Sequence, residues 1–137
     1  MALGDNYPKL GTKGYEYHLV NPPHPMNIIF EEIAEKHILA DGATVKTYHK
    51  GYKIFAELIF GENSWITQTD YDGLKAVYNL HKDINFIPYP ATYPASQFTV
   101  RWVNEFDFQY LRTLTDKYTG KIKLEGTKLL SSVPDWA

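Results

Sequence analysis

The chain has no cysteine. Disulfides, thiolate metal sites and thiol nucleophiles are therefore excluded, and cysteine usage says nothing about redox compartment. Neither sign of charge dominates. Fourteen Lys and Arg stand against 16 Asp and Glu, and the net −2 provides no broad basic field for nucleic acid. No apolar run approaches the ~20 residues of a membrane span. A stretch such as Ile54–Phe60 is short and interrupted by Glu57. Residues 1–13 carry Asp5 and Asn6 with no apolar run like that of a leader, so a soluble protein with no targeting or membrane segment is expected.

The motifs of common chemistries are missing too. Gly11-Thr12-Lys13-Gly14 lacks the spacing of a phosphate loop and no apolar helix follows it. Serine is scarce and no G-x-S-x-G elbow occurs. The five histidines, His18, His24, His37, His49 and His81, fall at no metal-binding spacing. Asn63-Ser64-Trp65 is not a glycosylation acceptor. No metal and no cofactor is expected.

What the sequence does have is aromatic side chains: 11 Tyr, 7 Phe and 3 Trp in 137 residues. A chain of this length suits one domain, burying roughly two-thirds of its unfolded surface. Period-2 alternation recurs along it. Tyr15, Tyr17 and Leu19 alternate with Glu16 and His18 as in a half-buried strand. Asn21-Pro22-Pro23-His24-Pro25 is a rigid extended piece suited to crossing an edge.

Residues 26–39 admit two readings. Ile28, Ile29, Ile33 and His37 with Glu31, Glu32, Glu35 and Lys36 would suit an amphipathic helix. Asn27-Ile28-Ile29-Phe30 and the following Asp41-Gly42 turn signal favour a strand, with Val45–Lys50 returning. Gly51 is expected to break that return strand. Tyr52–Phe60 is apolar on nearly both faces, like a central strand, and Gly61–Ser64 is a turn.

Thr67–Leu80 is the one clear helix. Tyr71, Leu74, Val77 and Tyr78 form its stripe, with Thr67 as N-cap and Asp70 in a capping-box position. Gly73 within it implies close packing on the sheet. Ile84 and Phe86 form a strand that stops at Pro88. Phe98, Val100 and Trp102 share one parity with Phe106, Phe108 and Tyr110, and the run is too long for one straight strand. A bend is therefore expected near Asn104-Glu105. Tyr118–Leu124 closes the set.

The expected fold is mainly β (α+β): a single β-sandwich or barrel-like domain of six to eight strands, with one helix at about 67–80 packed on it. Its limits are an arm at 1–14, the domain at 15–130 and a tail at 131–137.

Two features bear on function. Glu31 and Glu35 could in principle serve as a general acid/base pair, but a solvated face is the simpler account, and no catalytic residue is assigned. The loop Pro88–Pro94 sets Tyr89, Pro90 and Tyr93 in a rigid frame, which offers large contact area at low ordering cost. Such a loop serves a protein contact, a sugar platform, or a cap on its own core; it has no adjacent positive charge for single-stranded nucleic acid. Trp136 in the tail and Tyr7 in the N-terminal arm are further candidate contacts, with self-packing the alternative for Trp136.

The order of motifs resembles that of tailed-bacteriophage tail structural proteins, such as the distal tail protein. The resemblance runs over residues 40–127. It rests on Ala40-Asp41-Gly42, Gly51-Tyr52-Lys53-Ile54, Tyr71-Asp72-Gly73-Leu74-Lys75-Ala76, Ile87-Pro88-Tyr89-Pro90, Phe98-Thr99-Val100-Arg101-Trp102 and the closing Tyr118–Thr127. Such proteins usually carry a second, receptor-side domain for which this chain is too short, so a smaller tail, neck (head–tail connector) or hub-ring protein fits equally. The resemblance implies a non-enzymatic virion component, made in the host cytoplasm. It would assemble with itself in a ring, often six-fold, and with neighbouring tail proteins. A carbohydrate-binding receptor-recognition module is the alternative.

Overall fold

The computed structural model describes residues 3–40, 42–43, 45–110 and 116–137. Among the described residues are eight antiparallel strands, one α-helix and a 3-10 turn at Leu3–Asn6, so the fold is mainly β, as the alternation implied. The strands are β1 (Lys9–Gly11), β2 (Tyr17–His18), β3 (Met26–Ile38), β4 (Val45–Phe60), β5 (Ile84–Ile87), β6 (Phe98–Trp102), β7 (Gln109–Tyr110) and β8 (Tyr118–Gly126). The helix α1 spans Gln68–Tyr78.

Seven strands form one path in the order β2-β1-β5-β6-β8-β4-β3, and β7 pairs with the start of β8. The sheet is thus one open sheet, not two facing ones. It curls enough that Phe30 of β3 meets Phe98 of β6, ring centroids 5.7 Å apart, although β4 and β8 lie between them.

The inner face is set by parity. Ile54, Ala56, Leu58 and Phe60 of β4 are buried with Ile122 and Leu124 of β8, Phe98 and Val100 of β6, and Ile84 and Phe86 of β5. Leu74 and Val77 of α1 close this core from the concave side. The alternate residues of β4 and β8 form a half-buried or exposed outer face.

Some local expectations hold and others change. Residues 26–38 are a strand along their whole length, paired with β4 from Met26↔Leu58 to Ile38↔Val45. Gly51 does not break β4. It sits at φ +144, buried, where the register shifts between Ile33 and Ala34. A Cβ there would lie 2.8 Å from the Leu130 carbonyl oxygen, so glycine is what lets the chain end pass over β4. The Asp41 half of the expected Asp-Gly turn lies outside the described residues; Gly42, at φ +72, donates its N–H to the Leu39 carbonyl.

The strand expected over Tyr15–Leu19 is short, and it is β2. Only Tyr17 and His18 pair, because Tyr15 lies in the turn from Thr12 and is largely exposed. The residues expected to form a loose arm at 1–14 instead include β1, hydrogen-bonded between β2 and β5, with Leu10 fully buried. The bend near Asn104 is present. The chain leaves the sheet after Trp102 and rejoins it at Gln109. The Asn104 side chain holds the bend to β8 by donating to the Lys121 carbonyl and accepting from the Lys123 N–H.

Candidate functional site

Thr67 is the residue before α1, in extended conformation, but its side chain caps nothing. Asp70 does not serve a capping box either. Its fully buried carboxylate accepts the N–H groups of Val20 and Asn21 and the Tyr17 hydroxyl, the last at 2.6 Å. In return the Asn21 side-chain oxygen accepts from the Thr67 N–H and hydroxyl. Helix and N-terminal segment are thus clasped reciprocally. Burial, and then the adjacent Asp70 carboxylate, pushes the Tyr17 hydroxyl well above its ordinary pKa. The Tyr17 ring packs against Gly73, where a Cβ would come within 2.4 Å of it.

That clasp positions the N-terminal segment, and Asn6 extends the anchoring to the proline-rich loop. The Asn6 side-chain oxygen accepts the N–H groups of Ala91 and Thr92. Tyr7 packs against the core edge. The loop turns tightly, with Tyr93 N–H donating to the Tyr89 carbonyl.

The tail then folds back onto this loop. Leu130 bridges to Tyr52 by two backbone hydrogen bonds, both 2.8 Å, and the chain continues to Trp136. The indole is surrounded by Phe30, Tyr89, Tyr93 and Phe98, at centroid distances of 5.8, 5.2, 6.0 and 6.2 Å. Its N–H donates to the Ser96 hydroxyl at 2.9 Å. Three residues singled out from the sequence, Tyr89, Tyr93 and Trp136, therefore form one aromatic cluster. Pro90 is half-buried beside it, and Tyr93 remains 42% exposed. An open groove of about 390 Å³ borders the cluster, lined by Met26, Ile28, Phe30, Tyr89, Val133 and Trp136.

A second feature was not singled out as a site. Beyond Ile33 and Gly51, β3 and β4 leave the body as a two-stranded arm, about 16 Å long at ~3.3 Å per residue. The described residues from 34 to 38 and 45 to 50 are exposed, and Ile33 at the root is half-buried. The arm carries apolar residues into solvent: Ile38 is 71% exposed, Val45 54% and Tyr48 44%, and Ile29 on the outer face of the sheet is 62% exposed. Side-chain pairs lace it. His49 lies 3.1 Å from Glu32, His37 3.4 Å and Lys50 3.5 Å from Glu35. The hydrogen bond from His37 and the charge of Lys50 hold the Glu35 carboxyl below its ordinary range. The β-prone Asn27–Phe30 and the Asp41-Gly42 turn signal were the signs of this strand; nothing in them showed that its far half would project.

Glu35 stands on this arm and Glu31 just before its root, and they line neither the 390 Å³ groove nor a larger one of about 640 Å³ on the outer face between β3 and Val103. Among the described residues no three His, Asp or Glu side chains gather as a metal site, and no helix is long and apolar enough to cross a membrane. Comparison with protein-family models and with curated proteins gave no match.

Proposed function

We propose that this chain is a non-enzymatic structural subunit of a bacteriophage tail, assembling with copies of itself into a ring at the tail end, tube or neck. The observation that carries the reading is the β3–β4 arm. A two-stranded ribbon alone in water is marginal, and this one presents Ile38, Val45 and Tyr48 to solvent where a lone monomer gains nothing from them. Such a surface is what a neighbouring subunit covers. A head-to-tail contact between unlike surfaces closes into a ring when the rotation permits. The resemblance of residues 40–127 to tail proteins supplies the virion context.

The aromatic cluster has a changed part in this reading. Trp136 and Tyr89 are engaged within their own chain, so the contact surface at the loop reduces to Tyr93 and Pro90, with Tyr7 beside the core. Electron microscopy of the purified protein tests the ring, and peptide mass spectrometry of purified phage particles tests the virion location. Rotationally symmetric rings and peptides of this chain in the particles are expected; single subunits, or particles without the chain, contradict the proposal.

A further inference from the structure

β3 is the last strand of the sheet: β4 occupies one side of it, and no described strand lies along the other. Thirteen residues of backbone thus present an open edge. Natural edges are commonly blunted by charge, and β3 has Glu31, Glu32, Glu35 and Lys36 in its outer half. The order of those charges does more than blunt. A two-fold axis normal to the sheet pairs β3 antiparallel with a second β3 and sets side chains of the same face opposite one another.

The position of the axis decides what meets. At Glu32 or Glu35, like carboxylates face each other. At Ile33, Glu31 faces Glu35, and at Lys36 two ammonium groups meet. At Ala34 no like charges meet, and Glu35 opposite the partner's Ile33 is the one mismatch. Lys36 faces Glu32 of the partner subunit, His37 faces the partner's Glu31, Ile38 faces the partner's Phe30, and Leu39 faces the partner's Ile29. Among the described residues Lys36 and Glu31 have no ion-pair partner within their own chain. Ile38, Leu39 and Ile29 are among the exposed apolar residues of the molecule.

We infer that the β3 edge is a homodimer contact, joining two copies across a two-fold axis at Ala34. It turns two marginal ribbons into one four-stranded sheet, β4-β3-β3-β4. Cross-strand opposite charges and apolar pairs supply the selectivity for this register over its neighbours. The contact is isologous and so distinct from the head-to-tail contact of a ring. It would place two subunits, or two rings, back to back.

Sedimentation at low salt over about 1–200 µM protein tests it, since self-association depends on concentration. The wild-type chain is expected to show a reversible dimer step. Lys36→Glu and Glu32→Lys should each weaken that step about tenfold or more, because both symmetric contacts become repulsive. The double variant E32K/K36E restores opposite charges across the axis and should recover it. Both side chains are exposed, so far-ultraviolet circular dichroism should be unchanged and any loss attributable to association.

A wild-type chain that never associates overturns the inference, as does association indifferent to the single changes. A double variant that stays weak overturns the Ala34 register. Rings that form equally well in all variants would leave the tail-ring proposal standing and overturn this one. A charge-sensitive dimer without rings would do the reverse.

Discussion

Gly73 shows how a residue's meaning changes once its neighbour is known. Helix propensity alone favours Ala at this interior position by about 1 kcal/mol. A Cβ would meet the Tyr17 ring at 2.4 Å, and that ring cannot easily move, because its hydroxyl donates to Asp70. Gly73→Ala should therefore lower stability, by about 1–3 kcal/mol as for other overpacked sites; urea unfolding checks it, and a more stable variant would refute the contact. Asp70→Asn should cost about 2 kcal/mol, the scale of hydrogen bonds to a charged group, since an amide replaces one acceptor with a donor facing the Val20 or Asn21 N–H. A denaturation midpoint unchanged from wild type would contradict it. The sequence allowed close packing at Gly73 but not its partner. Asp70 sits at capping spacing from Thr67, and only the fold reveals that it bonds to residues about fifty positions away, because a local motif carries no information about distant donors.

At the scale of elements, alternation was a good guide wherever one face is buried. Phe98, Val100, Ile122 and Leu124 all point inward as their parity requires. It guided less well where backbone geometry decides. Gly51 resembles a strand break, yet a bulge absorbs it within β4. Residues 26–39 had the spacing of a helix together with a β-prone start and a following turn signal, and pairing with β4 settles them as a strand. The tail was readable only as an alternative, since a Trp six residues beyond a bridge can pack anywhere within its reach. Trp136→Ala should destabilise the domain by about 2 kcal/mol, below the ~3–5 of a fully buried Trp, because the indole is half-exposed. A thermal midpoint unchanged from wild type would show that the tail does not cap the core.

The arm makes a separate prediction. The Glu35 carboxyl has a folded-state pKa below its ordinary 4.5. A depressed carboxylate contributes stability that is present above the unfolded value and lost as pH falls through the folded one. Protection of the arm amides against hydrogen exchange, corrected for intrinsic rates, should therefore decline below about pH 4.5 while that of β5 and β8 persists. Glu35→Gln should abolish the difference; an arm as protected at pH 3.5 as at pH 6 would contradict the pairing.

For the whole molecule, composition and alternation indicated a mainly β domain with a helix laid on it, which is what the sheet order and α1 display. The single curled sheet was not legible, because sandwich and open barrel share the same alternation and differ only in long-range pairing. The aromatic richness divides accordingly. Phe60, Phe86, Phe98, Phe108 and Tyr118 build the core, and Trp136 with Tyr89 seals its mouth. Part of the exposed apolar surface, Ile38, Val45 and Tyr48, lies instead on the arm, an element whose β3 sequence admitted both helix and strand. The central claim is that this surface exists to be covered by other subunits. Light scattering on the purified 15.8 kDa chain at about 100 µM, where weak assembly is favoured by mass action, measures it most directly. The account predicts a mass several times that of one chain. A mass of one chain at that concentration would contradict it.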